Sequence, residues 1–261
     1  MEVIIRDTRE QAAALAAAVI AKALRDKPNL VLGLATGRTM ETLYQLLVDK
    51  HRNEGLSFAA VRTFNLDEYI GLEARDPHSY RYYMNHHLFS RVDIDITNTH
   101  LPNGMAEDIA SECAAYEYKI RSYGGIDLQL LGIGISGHIG FNEPLSAMLS
   151  RTRAKALTPQ TQHQNAQFFG GPDGVPKRAI TMGVGTILDS KRCLVLVTGA
   201  EKADVIAKAV EGPVTSMISA TALQLHARCT VIVDSAAASR LENQEYYRWI
   251  FDNEPEWQDF D

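Results

Sequence analysis

The sequence predicts a single doubly wound α/β domain with a mainly parallel sheet of at least six strands and helices on both faces. Three observations support this Rossmann-like fold class. Apolar runs that read as strands alternate with amphipathic helical stretches along most of the chain. Most of these runs are continuous rather than alternating, as expected of strands covered on both faces. The 261 residues, 46% of them hydrophobic and 22% charged, suffice for one large domain with an ample core.

The predicted elements follow one another in a regular order. A strand at 3–6 precedes an Ala-rich helix over about 9–25, and a second strand follows at 29–36. Further apolar runs, which we interpret as central strands, lie at 60–66, 126–132, 179–182, 193–198 and 229–234. Between 144 and 176 the sequence becomes polar and rich in glycine, and long segments of this kind are often lids or binding loops. We therefore expect one domain, 1–261, with an irregular lid or loop segment at about 144–176.

Composition and charge argue against several classes of protein. Lys and Arg number 26 against 32 Asp and Glu, a net charge of -6 without any basic run, so nucleic-acid binding is not expected. The charged start of the chain and the lack of a long apolar run predict a cytoplasmic protein that does not contact membranes. Cys113, Cys193 and Cys229 lack CxxC spacing, and the adjacent His86 and His87 face different sides of a helix. We expect neither disulfides nor a metal site.

Two segments carry features of an anion site. In open α/β sheets ligands bind at the carboxyl ends of strands, where Thr36, Gly37, Arg38 and Thr39 join a strand to a helix. Backbone N–H groups, two hydroxyls and a guanidinium can hold a phosphate there, although a Thr-capped glycine turn is the alternative. Lys202 follows another strand, in the first turn of the next helix. A lysine there is unfavourable to the helix dipole, which a bound anion would explain. A plain surface lysine is the alternative. The spacing of a Walker loop is absent from the sequence.

Candidate acid/base residues follow two other strands. Asp67 and Glu68 come directly after the strand at 60–66, where a carboxylate among apolar neighbours can act as a general base. Acidic pairs in solvated turns are common, however. His138 and Glu143 share a Gly-rich turn in which the carboxylate can orient the imidazole, with a purely structural histidine as the alternative.

The turn at 132–137 also contains two misleading patterns. It matches G-x-G-x-x-G, but the following residues do not read as a helix start and no acidic residue lies near position 157, so dinucleotide binding is not expected. Ser136 is followed directly by glycine, which is not the spacing of a nucleophile elbow. We therefore expect no cofactor, and a serine hydrolase is doubtful.

Five segments in order resemble the glucosamine-6-phosphate deaminase family. They are FNLDEYIGL, GIGISGHIGFNEP, SRTRAKALT, VPKRAITMGVGTIL and VEGPVTSMISATALQLH, which together span nearly the whole chain. The resemblance implies a Rossmann-like sheet and an enzyme that works without cofactor or metal. The implied reaction converts glucosamine 6-phosphate and water to fructose 6-phosphate and ammonia by acid/base ring opening and C2 proton abstraction.

The resemblance also implies roles for individual residues. Asp67 would remove the C2 proton, His138 would serve as the ring-opening acid/base, and Glu143 would orient and charge-stabilise His138. The implied substrate-binding residues are Thr36, Gly37, Arg38, Thr39, Gly137, Gln167 and Lys202. Ser146, Arg153 and Lys155 match an allosteric site for N-acetylglucosamine 6-phosphate between subunits of a homo-oligomer. Some members of the family lack both the regulation and the oligomer, so plain surface-loop residues are the alternative.

Three positions depart from the pattern of the family. Gln167 stands where many members carry an arginine near the substrate phosphate, and Arg38 stands where glycine or serine is usual, so we hypothesise that Arg38 replaces the missing arginine. Ser136, a candidate member of the catalytic set, stands where Asp or Asn is usual beside the histidine. Because serine is uncharged and short, we expect a water to bridge it to His138 and Glu143 to be the only carboxylate that stabilises the protonated imidazole.

Other functions remain open at this point. Galactosamine 6-phosphate differs from the implied substrate only at C4, which no motif reads. A 6-phosphogluconolactonase would have a similar fold, but the FNLDEY and FNEP segments argue against it. A catalytically weak sugar-phosphate-binding regulator would need a DNA-binding module, for which we see no spare residues.

Overall fold

A computed structural model describes residues 1–260, and these residues form ten strands and eight α-helices. The strands are β1 (Glu2–Arg6), β2 (Val31–Leu34), β3 (Arg62–Asn65), β4 (Asp67–Tyr69), β5 (Thr99–His100), β6 (Leu128–Leu131), β7 (Arg153–Ala156), β8 (Arg178–Thr181), β9 (Cys193–Val197) and β10 (Cys229–Asp234). The helices are α1 (Arg9–Asp26), α2 (Arg38–Glu54), α3 (Tyr80–His87), α4 (Ile109–Ser122), α5 (Pro159–Asn165), α6 (Val184–Leu188), α7 (Ala203–Val210) and α8 (Gln244–Asn253). No helix of this part of the chain is long and apolar enough to cross a bilayer.

The central sheet has seven strands in the order β1-β10-β9-β6-β2-β3-β5. Every pairing within it is parallel. All residues of β9 and β10 are buried, as their continuous apolar sequences require of strands covered on both faces. The predicted fold class, an α/β domain with a mainly parallel sheet of at least six strands flanked by helices, is confirmed.

The first helix shows how local sequence sets an element. Thr8 accepts a hydrogen bond from the Gln11 backbone N–H, and the Gln11 side chain accepts one from the Thr8 N–H, which forms a capping box. The Ala-rich face of α1 then packs against β1, β9 and β10, because small side chains allow the helix to lie close to the sheet.

Two expectations about elements were wrong, and one strand was not predicted. The run at 179–182 is not a central strand, since β8 pairs antiparallel with β4 and β7 in a separate three-stranded sheet. The seventh central strand, β5, was not predicted because it has only two residues. The segment 144–176 is not irregular throughout, because it contains β7 and α5. Their sequences, RAKA and PQTQHQN, are too polar to show the apolar pattern of a strand or a helix.

The order of the strands brings several loops to one edge of the central sheet. Strands β9, β6, β2 and β3 are consecutive neighbours, so the loops after their carboxyl ends lie side by side. Only Leu66 separates β3 from β4, and the Leu66 carbonyl accepts a hydrogen bond of 2.7 Å from the Met182 N–H at the end of β8. The small sheet is therefore fixed directly beside this edge.

Candidate active site

A cavity of about 660 Å³ opens at the carboxyl ends of the central strands. It is the place where ligands of open α/β sheets bind. The predicted site residues that line it are Thr36, Gly37, Arg38, Thr39, Asp67, His138, Gln167 and Lys202. Residues separated by up to 166 positions in sequence thus share one cavity, and two of them, Asp67 and His138, are acid/base groups.

Asp67 begins β4 and is 7% exposed. Burial, together with the nearby charge of Glu68, raises the pKa of Asp67 to about 8. Gly140 makes room for this carboxylate, because a Cβ there would lie 2.9 Å from Thr181 Oγ1 and 3.4 Å from Asp67 Oδ2. Gly140 also has a φ of 54°, a conformation that other residues rarely adopt. Asp67 is therefore a desolvated carboxyl group whose pKa suits a general base near neutral pH.

The neighbouring Glu68 has a different environment. Its carboxylate accepts hydrogen bonds of 2.9 Å from the backbone N–H groups of Tyr69, Tyr80 and Arg81. Two of these donors belong to the first turn of α3, so Glu68 anchors that helix. Of the acidic pair, only Asp67 lines the cavity.

His138 contacts both polar groups that the sequence placed beside it. Its Nδ1 lies 3.1 Å from Ser136 Oγ and 3.4 Å from Glu143 Oε2. The contact with Ser136 is direct, so the expected bridging water is not needed. The serine reaches the ring because the two residues belong to the same tight turn, in which the Gly134 N–H donates to the His138 carbonyl.

Glu143 is 2% exposed and stays ionised in spite of its burial. Burial opposes ionisation, but hydrogen bonds from His138 and Thr161, the attraction to His138, and the Thr158 N–H together lower the pKa of Glu143. Its Oε1 accepts that N–H at 3.1 Å, at the start of α5. A charged carboxylate is thus fixed against Nδ1 of His138, which suits stabilisation of a protonated imidazole.

Cationic and N–H groups also line the cavity. α2 begins at Arg38, and within residues 1–260 no side chain caps its N-terminus, which leaves its first N–H groups available to an anion. Lys202 closes a short 3₁₀ turn before α7, and its Nζ donates 2.8 Å to the Ile133 carbonyl. Burial lowers the pKa of Lys202, although Glu201 partly opposes the shift.

The structure brings Arg38 and Gln167 together, although 129 positions separate them. Arg38 Nη2 donates a hydrogen bond of 2.7 Å to Gln167 Oε1. The Arg38 guanidinium carbon also lies 5.2 Å above the ring of Phe168. Arg38 therefore occupies the side of the cavity where the sequence comparison with the family expected a cation from position 167.

Gly137 does not line the cavity, contrary to its expected role in substrate binding. A Cβ at this position would lie 2.5 Å from Ile218 Cγ2 and 2.9 Å from Val205 Cγ2. Packing of the turn against these side chains therefore accounts for the glycine.

The residues of the expected allosteric site lie outside the cavity. Arg153 donates to Ser146 Oγ at 3.1 Å and to Asn142 Oδ1 at 2.8 Å. Lys155 is two residues further along β7 and thus points to the same face of the strand as Arg153.

Several cavity residues were not found from the sequence. They are aromatic or polar side chains from β4, the turn before α3, α3 itself and the 144–176 segment, namely Tyr69, His78, Tyr80, Tyr83, Asn165 and Phe169. One available signal was the alternation of β4, since Asp67 and Tyr69 are two residues apart and share a face of the strand. Among residues 1–260, no group of three or more His, Cys, Asp and Glu side chains is arranged to hold a metal ion.

Residues 6–232 match the family described as glucosamine-6-phosphate isomerases/6-phosphogluconolactonase. A glucosamine-6-phosphate deaminase of Hahella chejuensis is 52% identical over 250 residues, which cover 96% of this chain and 95% of the relative. A glucosamine-6-phosphate deaminase of an Arthrobacter species is 48% identical and covers 99% of both chains.

Solved structures with the same fold include two kinds of enzyme. A structure described as a monomeric glucosamine-6-phosphate deaminase is 46% identical, with a TM-score of 0.90 over 92% of this chain and all of that chain. A 6-phosphogluconolactonase from Trypanosoma cruzi has a TM-score of 0.73 over 92% of this chain and 97% of that one, at 19% identity. The second likeness concerns the fold alone.

Proposed function

Because the chain belongs to the glucosamine-6-phosphate isomerase/6-phosphogluconolactonase family, we propose that it converts glucosamine 6-phosphate and water to fructose 6-phosphate and ammonia. One observation carries the proposal. A desolvated carboxyl group, Asp67, and a carboxylate-backed imidazole, His138, stand beside one cavity that Arg38 and Lys202 also line. Acid/base groups and cations around one cavity suit proton transfer on a sugar held by its phosphate.

His138 opens the sugar ring in the proposed reaction. It transfers a proton from the C1 hydroxyl to the ring oxygen, so that the C1–O5 bond breaks and a C1 aldehyde forms. The imidazole is protonated during this transfer, and Glu143, 3.4 Å from Nδ1, stabilises that charge.

Asp67 then moves the C2 proton. Its carboxylate removes that proton, the electron pair forms a C1–C2 double bond, and the C1 oxygen takes up a proton. Return of a proton to C1 gives an imine at C2, to which water adds, and ammonia leaves with formation of the C2 ketone. A base with a pKa of about 8 serves this sequence well, because it can both take and return a proton near neutral pH.

Ammonia release by the purified chain tests the proposal. We expect release from glucosamine 6-phosphate without added metal or nucleotide, and little from N-acetylglucosamine 6-phosphate, whose nitrogen is acylated. Galactosamine 6-phosphate serves as the competing amino sugar and 6-phosphogluconolactone as the substrate of the lactonase alternative. Lactone hydrolysis without ammonia release, or binding of sugar phosphates without turnover, would contradict the proposal.

Arg38 takes over the phosphate contact of an arginine at position 167. Losing a charge-assisted hydrogen bond to a partly buried anion costs about 1.5–3 kcal/mol, so Arg38→Gly should raise KM roughly ten- to a hundredfold. The double variant Arg38→Gly/Gln167→Arg should recover most of that loss, since the two side chains touch in the native structure. An unchanged KM in Arg38→Gly, or no recovery in the double variant, would refute the relocation.

The chain also binds an effector, N-acetylglucosamine 6-phosphate, at Ser146, Arg153 and Lys155. The contact between Arg153 and Ser146 and the common face of Arg153 and Lys155 support such an anion site. We expect the effector to lower the substrate concentration for half-maximal rate, and Lys155→Ala to remove this response without changing the basal rate. Hyperbolic kinetics insensitive to the effector would exclude the site.

Oligomeric state and location complete the proposal. A homo-oligomer is the arrangement in which a site between subunits can form, whereas the solved relative is described as monomeric. Light scattering of the purified chain with and without the effector decides between them. The cytoplasmic location stays a prediction from the sequence.

A further inference from the structure

The position of α5 over the cavity depends on few contacts. Its sequence, PQTQHQN, has no apolar face, and Thr161 is its only buried residue. Helices of this kind gain little from burial of apolar surface, so individual side-chain hydrogen bonds decide where they lie. The 3₁₀ turn that follows carries Gln167 and Phe168, both of which line the cavity.

Tyr69 connects this segment to the strand that bears Asp67. Its phenolic oxygen accepts a hydrogen bond of 3.0 Å from Asn165 Nδ2 at the end of α5. It also accepts one of 3.3 Å from the hydroxyl of Tyr80, the first residue of α3. The chain of contacts therefore runs from α3 through β4 to α5.

The ring of Tyr69 is fixed independently of its hydroxyl. The side chain is 2% exposed and packs against Tyr80, Phe141 and Phe169 at centroid distances of 4.9, 5.6 and 5.3 Å. A buried hydroxyl on such a fixed ring is a precise anchor, because the ring cannot follow its partner if that partner moves.

We propose that Tyr69 is a positioning residue, whose hydroxyl holds α5 over the cavity and thereby places the 165–169 segment against a substrate bound between that segment and Asp67. This inference rests on the proposed deamination for its effect on catalysis. The anchoring itself concerns the free protein and is independent of the reaction.

Hydrogen exchange of the free protein tests the anchor without any substrate. Tyr69→Phe removes only the hydroxyl and keeps the ring, and Asn165→Ala removes its partner on α5. Loss of the net free energy of one hydrogen bond changes an opening equilibrium by a factor of roughly three to ten. The backbone amides of 162–169 should therefore exchange faster by that factor in both variants. Tyr82→Phe is the matched control, because Tyr82 lies in α3 and is 41% exposed, and this change should leave exchange at 162–169 unchanged.

Kinetics test the effect on the substrate. KM for glucosamine 6-phosphate should rise by a similar factor in each single variant. The double variant should be no worse than Tyr69→Phe alone, because Tyr69→Phe already breaks the contact that Asn165→Ala removes. Unchanged exchange at 162–169, or a double variant whose KM equals the product of the two single effects, would overturn the anchor. If the wild type releases no ammonia while exchange responds as expected, the proposed function fails and the anchor stands.

Discussion

Replacing Asp67 by Asn is expected to lower kcat by roughly a thousandfold, since a positioned general base contributes about 10²–10⁴ to the rate. Asparagine has the same shape but cannot accept the C2 proton. Sugar-phosphate binding should persist, because Asp67 is not among the groups proposed to hold the phosphate. Steady-state ammonia release, with binding of fructose 6-phosphate measured by calorimetry, separates the two effects. Near-normal turnover of Asp67→Asn would show that Asp67 is not the base.

The same substitution should stabilise the fold. The pKa of Asp67 is about 8 in the folded chain against an ordinary value of 3.8, so the folded state holds a proton that the unfolded chain releases above pH 4. Folded stability therefore falls as pH rises from about 4 towards 8, and a neutral amide escapes this loss. We expect Asp67→Asn to raise the free energy of unfolding by roughly 1–2 kcal/mol at pH 8 and by less at pH 5.5.

Urea denaturation at both pH values measures this gain. Glu68→Gln is the matched control, because both oxygens of that carboxylate accept backbone N–H groups, and an amide NH2 in place of one of them should destabilise the protein. A stability of Asp67→Asn that is equal to or below that of the wild type would contradict the desolvation of this carboxyl group.

The ionisation of Asp67 should also appear in the pH dependence of the wild type. A base must be ionised to act, so kcat/KM should fall about tenfold per pH unit below about pH 8. The residual kcat/KM of Asp67→Asn should not show this fall below pH 8.

Glu143→Gln is expected to lower kcat by on the order of a hundredfold, because Glu143 is the carboxylate in contact with His138 Nδ1. Its charge is lost while the shape is kept. The second neighbour of Nδ1, Ser136 Oγ at 3.1 Å, supplies a hydrogen bond but no charge. Without Glu143 the protonated imidazole therefore has no carboxylate partner among residues 1–260.

Ser136→Asp supplies a second carboxylate beside His138 and should compensate for the charge that Glu143→Gln removes. A negative charge beside the ring stabilises the imidazolium that forms during ring opening, so the pH-rate profile of Ser136→Asp should differ from that of the wild type. If ring opening limits the rate, kcat should rise, and Ser136→Asp/Glu143→Gln should recover much of the activity lost in Glu143→Gln. Ser136→Ala controls for the hydrogen bond alone. Coincident pH-rate profiles of wild type and Ser136→Asp would mean that position 136 does not influence His138.

The central sheet was largely predictable because most of its strands are apolar runs that can be recognised from the local sequence. The apolar runs that became β9 and β10 are bounded by polar turns, and each is buried along its whole length. The run that became β8 has the same character, yet it pairs with β4 and β7. An apolar run indicates burial, but the choice of partner depends on residues more than 100 positions away.

The site was predictable only where one short segment carries the chemistry. Ser136, His138 and Glu143 lie within eight residues, so their mutual contacts follow from the turn that holds them. Tyr69 and Asn165 meet across 96 positions through a polar helix that has no periodic pattern. Neither residue type nor spacing could indicate that contact, which arises from tertiary packing.

The contact between Arg38 and Gln167 has a consequence for how related sequences can change. Two arginines at these positions would bring like charges to within hydrogen-bonding distance in a partly exposed pocket, a repulsion that an empty site would have to tolerate. Two uncharged residues would leave a bound dianion with fewer counter-charges. Evolution between the two arrangements should therefore favour coordinated exchange, so that homologous sequences carry a cation at 38 or at 167 and seldom at both. In an alignment of homologous sequences, a positive charge at position 38 should therefore accompany an uncharged residue at position 167, and the reverse.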